Sequence, residues 1–503
     1  MAHPPPNAAS LGVEPTELSC LDPALARWLL EGAGGPSPCE RVIETSLSLV
    51  FLFPDRALKL KKSVDYDFVD FSTRDKRDTA LEREFALNQP LAPDIYRSVR
   101  QIRRGPDGNL GLEGQGEALG AVLEMRRFAD DALLSAQARV SGDLGETLGR
   151  RIARFHLEAS LAPDGGGAEG LGYVLASNAF QLRLHVNAPG ALEAERVERL
   201  IAAADAALAQ AAPQLDARRT QGFCRACHGD LHTDNIVIEE GRVSLIDGIE
   251  FNDRLREIDI LYDLAFLIMD LLFRGAAEAA SRVLNGWLDA AARAFGAELY
   301  EGLAVLPLFL ATRASVRAHV RAREGRMDEA RAYLDAALDH LRAPAPSLLA
   351  IGGAQGSGKS HLARRLAPAR GHPPGAVVLR SDEIRKRLMG REPTAPLPRE
   401  AYAPEVSARV YDALCAATQA SLDAGVTVIA DAVFYGPDER ARIEAVARRA
   451  GAPFEGVWLE VDREVAAARL AARRSDASDA DLAVREAQLS RDPGPISWRR
   501  EEG

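Results

Sequence analysis

The chain has 503 residues, a formal net charge of −11, 47% hydrophobic and 27% charged residues, and five cysteines. At about 150 residues per domain it holds about three folding units, and the composition excludes a largely disordered chain, as the cysteine count excludes a disulfide scaffold. Residues 348–503 balance 23 basic against 22 acidic residues and the first 347 hold 39 basic against 51 acidic, so neither part has the basic excess of a duplex-DNA binder.

Residues 1–40 are rich in Pro, Gly and Ala, with an apolar patch at Leu25, Trp28, Leu29 and Leu30, and predict a loose start with one helix. MAHPPPNAAS has neither the basic start nor the apolar core of a secretory signal. The longest strongly apolar uncharged run, Gly302 to Thr312, is far short of the ~20 residues of a membrane helix. The expectation is a cytoplasmic protein without a membrane partner; the sequence leaves its oligomeric state open. VIETSLSLVFLF, a turn at Pro54-Asp55 and ALKLKK predict a hairpin over 42–62. Residues 73–89 have helical spacing with Leu81, Phe85 and Asn88 on one face, and 99–102 and 121–125 predict two more strands. From 126 on the text is helical: Leu144, Leu148, Ile152 and Phe155 recur every three or four residues, as do apolar positions in 190–212, 257–273, 277–297 and 301–322. The expected organisation is a loose segment 1–40, a β-rich lobe 41–125, a helical lobe 126–341, a linker 342–347 (RAPAPS) and a last domain 348–503. In that domain 348–351, 376–381, 426–432 and 454–461 read as strands alternating with helices, which predicts a doubly wound parallel sheet.

The last domain opens with Gly353-Ala354-Gln355-Gly356-Ser357-Gly358-Lys359-Ser360, between a strand and a helix. Glycines there let successive backbone N–H groups face phosphate at a helix N-terminus; Lys359 reaches the β- and γ-phosphates and Ser360 binds Mg²⁺. The next strand ends in Arg380-Ser381-Asp382-Glu383-Ile384-Arg385. In a doubly wound sheet ligands gather at the carboxyl ends of strands, so Asp382 is placed to take the proton of an attacking hydroxyl, or only to cap the helix from Glu383. Arg385 falls on the same helical face, for an anionic acceptor or the transferring phosphate. Asp431 ends the following strand and is a candidate to assist the metal or the acceptor. Arg469, Arg473 and Arg474 suit a mobile arginine lid over the phosphates, or a solvated helix face. GxxxxGKS, RSDEIRKRL, VIADAVF and RLAARRSDASDA together resemble P-loop small-molecule and polynucleotide-end kinases, the gluconate kinase, zeta-toxin and 5′-polynucleotide kinase relatives, over about 347–495. The resemblance implies that Asp382 is a general base, Arg385 an acceptor-binding arginine and the lid arginines nucleotide-binding.

The middle of the chain reads Cys224-Arg-Ala-Cys227-His228-Gly229-Asp230-Leu231-His232-Thr233-Asp234-Asn235, then Leu245-Ile246-Asp247-Gly-Ile-Glu250. CRACH matches a haem-attachment pattern, but that chemistry belongs to exported proteins, and no second Cys pair completes a zinc site; a buried thiol pair is expected. HGDLHTDN followed by LID supplies a carboxylate for the substrate hydroxyl (Asp230), an amide five residues on for metal (Asn235) and a second carboxylate after the next strand for Mg²⁺ (Asp247). This spacing resembles the aminoglycoside phosphotransferase branch of the protein-kinase-like fold. The resemblance implies that Lys59 or Lys61 holds the α/β-phosphates, that Glu84 is its partner, and that backbone near Glu124 and Met125 reads adenine. No G-x-G-x-x-G covers the phosphates; Ser46 and Ser48 are the candidates. The acidic pair is D-x-x-E where drug-modifying relatives carry D-x-E, and Arg313, Arg317 and Arg321 share one helical face, either greeting an anionic substrate or forming a solvated stripe; both features argue against an aminoglycoside acceptor.

Taken whole, the order resembles a bacterial fusion family, an aminoglycoside-phosphotransferase-like domain followed by a P-loop kinase domain. It implies a bifunctional kinase with two Mg²⁺·ATP sites acting on small hydroxylated metabolites. The alternatives are that the second half phosphorylates a nucleic-acid 5′ end or a nucleotide sugar, or that one half is a nucleotide-binding module gating the other.

Overall fold

The computed structural model describes residues 21–66, 69–186, 190–342, 345–472 and 492–502. The chain forms two compact units, Met1–Ala138 with Ala226–Glu257, and Arg139–Arg225 with Ile258–Gly503.

The first unit is built on a six-stranded antiparallel sheet in the spatial order Arg41–Glu44, Ser48–Leu52, Arg56–Lys61, Glu117–Arg126, Tyr96–Arg104, Leu110–Leu112. The run expected as one arm of a hairpin breaks in two at Thr45, whose Oγ1 accepts from the Ser48 N–H at 3.0 Å and closes a tight turn. Leu58 and Leu60 pack on one face with Leu49, Phe51, Val122 and, from the helix Pro23–Leu30, Leu25 and Leu29. Strand alternation turns Lys59 and Lys61 to the other face. The helix Arg74–Asn88 lies there, its Leu81 packing with Ile95, Tyr96 and Leu123. The hairpin Ile236–Glu239/Arg242–Leu245 joins the same core through Val237.

The second unit begins with helices. Gly142–Glu158 and Ala277–Ala291 pack backbone to backbone: a Cβ at Gly149 would lie 2.2 Å from the Val283 carbonyl oxygen. The helix Gly167–Arg183 is not anticipated by the sequence, because Gly167, Gly170 and Gly172 depress its intrinsic propensity. Packing supplies what propensity lacks, as where Asn178 Nδ2 donates to Ser315 Oγ at 2.7 Å. Ala194–Thr220 runs past Pro213, where the sequence reading stopped. Among the described residues one stretch, Glu298–Arg323, has the length and apolarity to cross a membrane, and 78% of its apolar window is buried in the protein.

That stretch ends in the arginines expected as a solvated stripe, and here the structure corrects the expectation. Arg313 is buried, stacked 3.8 Å from the Tyr262 ring centroid and 4.6 Å from that of Phe266, and donates to the Tyr262 carbonyl. Arg317 is buried and Arg321 pairs with Glu324 at 2.6 Å. Aromatic faces and a neighbouring carbonyl give the Arg313 guanidinium an interior environment that helical periodicity does not reveal. They therefore contribute nothing to the case against a polycationic acceptor.

Another buried arginine helps to hold the unit together. Arg218 donates to both carboxylate oxygens of Asp259 at 2.6 and 2.9 Å, and Asp259 Oδ1 accepts from the Leu261 N–H at 2.8 Å at the start of the helix Ile260–Phe273. Arg218→Ala should cost about 3–5 kcal/mol, because Asp259 is left buried and charged without its partner. Chemical denaturation checks this; a loss under about 1 kcal/mol, the range of an exposed pair, would contradict it.

The remainder of the second unit is a five-stranded parallel sheet, the doubly wound architecture expected, in the order Val377–Arg380, Val428–Asp431, Leu348–Gly352, Phe454–Glu460, Arg499–Glu502. The strand before the glycine-rich loop is central and buried along its length, with Leu349, Ile351, Ile429 and Val457 in one core. The register Ile351↔Asp431 sets Asp431 beside the start of the loop. The edge strand Arg499–Glu502 was not legible, being four charged residues without alternation.

Candidate active sites

In the first unit, alternation of the strand Arg56–Lys61 and the facing helix bring two lysines onto one glutamate. Glu84 is fully buried; Lys59 reaches its Oε1 at 2.7 Å and Lys61 its Oε2 at 2.6 Å. Each lysine has a second, different carboxylate from far along the chain. Lys59 is ion-paired with Asp247, and Lys61 with Glu250 at 2.5 Å. Geometry distinguishes the two lysines: Lys59 meets the carboxylate of Asp247, just after the strand Arg242–Leu245, and Lys61 the buried Glu250. Burial works against the charged form of Lys59, but Asp247 and Glu84 outweigh it and hold the ammonium well above the ordinary lysine range. For Asp247, desolvation opposes ionisation; Lys59 and Lys61 overcome it and keep the carboxyl below its usual range. About half of the Asp247 side chain remains exposed (48%), so it stays open to a ligand.

Asp247 sits at φ +60°, a conformation that costs a non-glycine residue energy and is held by its surroundings. Its N–H donates to the Tyr96 hydroxyl at 3.0 Å, and the Gly248 N–H to Asn88 Oδ1 at 2.8 Å. Asn88 in turn donates to the Glu84 backbone carbonyl at 2.9 Å, so the helix that carries Glu84 is tied through Asn88 to the backbone at Gly248. His228 Nε2 donates to the Ile246 carbonyl at 2.8 Å. Asn235 Nδ2 donates to Asp230 O at 2.9 Å and Oδ2 at 3.0 Å, which joins both ends of the loop 230–235 and directs the Asn235 side-chain oxygen elsewhere. Asp247 and the Asn235 amide oxygen are hard oxygen donors, the chemistry that suits Mg²⁺. Asn88 and Tyr96 were not read as site residues, although a buried polar side chain on the Leu81–Phe85 face was a usable signal. Ser48 is buried and Ser46 exposed at the tight turn closed by Thr45.

Glu124 and Met125 lie inside the sheet, in register with Leu58 and Ala57 on one side and with Ser98 and Tyr96 on the other. The Glu124 carboxylate is bound by Arg100 at 3.1 Å. The Arg126 N–H still donates to the Ile95 carbonyl, so the backbone leaves the sheet only beyond Arg126. Cys224 and Cys227 are both buried, and burial pushes the Cys224 thiol up to about 12.

In the second unit the loop Gly353–Ser360 bends through positive φ at Gly353, Gly356 and Gly358. A Cβ at Gly353 would lie 2.5 Å from the Leu459 carbonyl oxygen, so only glycine passes there. Lys359 Nζ donates to the carbonyls of Gly353 and Ala354 at 2.9 and 3.0 Å. Ser360 Oγ donates to Asp431 Oδ2 at 2.5 Å, placing two hard oxygen donors together at the loop. A cavity of about 160 Å³ opens here, lined among others by Gln355, Lys359, Ser360, Asp382 and Asp431, so the donor set and the cradle fit a metal-bound polyphosphate.

Two expectations need correction. The helix starts at Ser381 with Arg380 in the cap position and no side-chain cap bond, so Asp382 is a residue of the first turn rather than its cap. Arg385 does not line the cavity: its guanidinium donates to the Ala401 carbonyl at 2.6 Å and lies over the Tyr402 ring. The arginines that do line it are Arg364 and Arg380, which sequence spacing did not single out. Arg380 is buried, with Nε 3.6 Å from Asp431. Arg469 falls in the helix Arg463–Ala472; Arg473 and Arg474 lie outside the described residues, as do residues 343 and 344 of the expected linker.

Comparison with known proteins matches residues 70–306 to the phosphotransferase enzyme family and residues 348–494 to an AAA domain family. Uncharacterized proteins of Mycobacterium tuberculosis (strains H37Rv and CDC 1551) and Mycobacterium bovis are each 31% identical over 472 residues, covering 90% of this chain and 89% of theirs. Among solved structures, a glucosamine kinase covers 63% of this chain and 80% of its own at 16% identity and a TM-score of 0.37. A choline kinase from Cryptosporidium parvum covers 60% and 88% at 9% and 0.41, and a gluconokinase from Sinorhizobium meliloti 31% and 82% at 21% and 0.22. The chain belongs to the family of these mycobacterial proteins, in which an aminoglycoside-phosphotransferase-like domain of protein-kinase-like fold is followed by a P-loop kinase domain.

Proposed function

We propose that the chain is a bifunctional ATP-dependent phosphotransferase with two Mg²⁺·ATP sites, each acting on a small hydroxylated metabolite. The observation that carries the bifunctional reading is Lys59 held at once by Glu84 and Asp247, which argues that the first half is a working site rather than a relic. Lys59 holds the α/β-phosphates and Glu84 orients it, while Asn235 and Asp247 hold the metal. Lys61, paired with Glu250, supports Glu84 from behind. Asp230 accepts the acceptor hydroxyl proton as the oxygen bonds the γ-phosphorus and the bond to the ADP oxygen breaks. Backbone following Arg126, beyond Glu124 and Met125, reads adenine.

In the second half the loop amides and Lys359 cradle the phosphates, Ser360 and Asp431 hold the metal, and Asp382 takes the acceptor proton. Mg²⁺ supplies charge neutralisation across the transferring phosphate at both sites. Arg364 and Arg380 add positive charge beside it, with Arg469, Arg473 and Arg474 as the lid. Arg385 positions the 401–407 segment through its bond to Ala401. The place of action is the cytoplasm.

The two lysines test this reading. In a chain whose second site is silenced by Lys359→Ala, Lys59→Ala should weaken Mg²⁺·ATP binding at the first site about tenfold or more, some 1.4 kcal/mol. Lys61→Ala should act mainly on stability, by about 3–5 kcal/mol, because Glu250 and Glu84 lose a buried partner. Calorimetry and denaturation separate the two effects. The reverse pattern, with binding lost through Lys61 and not Lys59, would reject the assignment.

A further inference from the structure

A second cavity, of about 490 Å³, adjoins the one at the glycine-rich loop, since Arg364 and Arg380 line both. Its volume is that of a small-metabolite site. One wall belongs to the P-loop half: Arg364, Arg380, Glu383 and residues 392–394. The other belongs to the phosphotransferase half: Glu146, Arg150 and Arg154 on the helix Gly142–Glu158, and Arg293 after the helix Ala277–Ala291. The walls are bonded to each other. Arg150 donates to Glu383 at 2.8 Å, Arg293 to the Arg391 carbonyl at 2.7 Å, and Asn285 accepts from the Val378 N–H on the edge strand of the parallel sheet at 2.7 Å.

Charge decides what this cavity admits. Five arginines face three glutamates, an excess of two positive charges. Each glutamate is already answered, Glu146 by Arg282 at 2.6 Å, Glu383 by Arg150, and Glu392 by Arg293 at 3.7 Å. Arg154 has no carboxylate within 4.0 Å among the described residues. Behind Arg150, Asp289 is half-buried, and desolvation together with Glu383 pushes its carboxyl up, which weakens its hold on the Arg150 charge. A phosphate ester carries about −1.5 to −2 at pH 7 and matches the excess.

We propose that this cavity is the acceptor site of the P-loop kinase, that it takes a hydroxylated metabolite already bearing a phosphate group, and that Arg150, Arg154 and Arg293 of the phosphotransferase half hold that phosphate. The proposal rests on the P-loop half being a kinase. It gives the fusion a physical purpose, because the acceptor site of the second half is incomplete without helices of the first.

The test is equilibrium dialysis of labelled inorganic phosphate against the full chain saturated with Mg²⁺ and a non-hydrolysable ATP analogue, which keeps phosphate off the nucleotide sites. One phosphate should bind per chain, at least tenfold more weakly in Arg154→Ala and in Arg293→Ala, and gluconate at equal ionic strength should not displace it. Arg154 is exposed, so its substitution leaves the fold intact even if Arg293→Ala disturbs the contact with Arg391. No phosphate bound while the analogue binds, phosphate indifferent to both arginines, or displacement by gluconate would each overturn the proposal and leave the P-loop reading standing. Failure of the analogue to bind in a Lys359-dependent way would overturn that reading, and this proposal with it.

Discussion

Lys359→Ala should reduce Mg²⁺·ATP turnover at the P-loop site by about 10²–10³-fold or more, measured in the full chain with the first site silenced by Asp230→Asn. Phosphoryl transfer asks the protein for little covalent chemistry, so positioned positive charge at the β- and γ-phosphates carries much of the catalysis. Lys359 is the cation that the loop itself supplies; its Nζ is held by the carbonyls of Gly353 and Ala354, within reach of the cradle those glycines form. The variant keeps the glycines whose positive φ values shape the loop, Gly353, Gly356 and Gly358, so it should fold. Unchanged turnover by the folded variant would remove the P-loop assignment.

Asp230→Asn should slow transfer at the first site by about 10²–10⁴-fold and leave nucleotide binding there nearly intact. The substitution removes the proton acceptor and keeps the size of the side chain. Lys59, Glu84 and Asp247, which meet one another independently of Asp230, still assemble. Product formation from labelled ATP, with the second site silenced by Lys359→Ala, is the measurement. Transfer at the wild-type rate would reduce Asp230 to a structural partner of Asn235, to which it is bonded at 3.0 Å.

The geometry of both candidate sites was legible where it is local in sequence. Gly353, Gly356 and Gly358 are demanded by backbone conformation, and Asp230 and Asn235 meet inside one short loop, so spacing alone locates them. What was not legible depends on residues brought from far away. Lys59 and Lys61 share a strand face and are equivalent until Asp247 and Glu250, nearly two hundred residues on, choose between them. Arg385 was preferred over Arg380 by helical spacing from Asp382. The helix starts two residues earlier than read, at Ser381; Arg380 ends the strand beside the loop, while Arg385 is drawn off by Ala401. The interior packing of Arg313 depends on Tyr262 and Phe266 of another helix, which one-dimensional periodicity cannot supply. The helix Gly167–Arg183 was missed because its glycines argue locally for a loop, and its packing overrides them.

The most direct test of two nucleotide sites in one chain is calorimetric titration of the full protein with a non-hydrolysable ATP analogue and Mg²⁺. Two sites per chain should appear. Asp247→Ala should abolish the Mg²⁺-dependent part of binding at one of them, since a carboxylate ligand of the metal is gone, and Lys359→Ala should weaken the other alone. A single site in the wild-type chain, lost with Lys359→Ala and indifferent to Asp247→Ala, would contradict the account and leave the first half without a nucleotide.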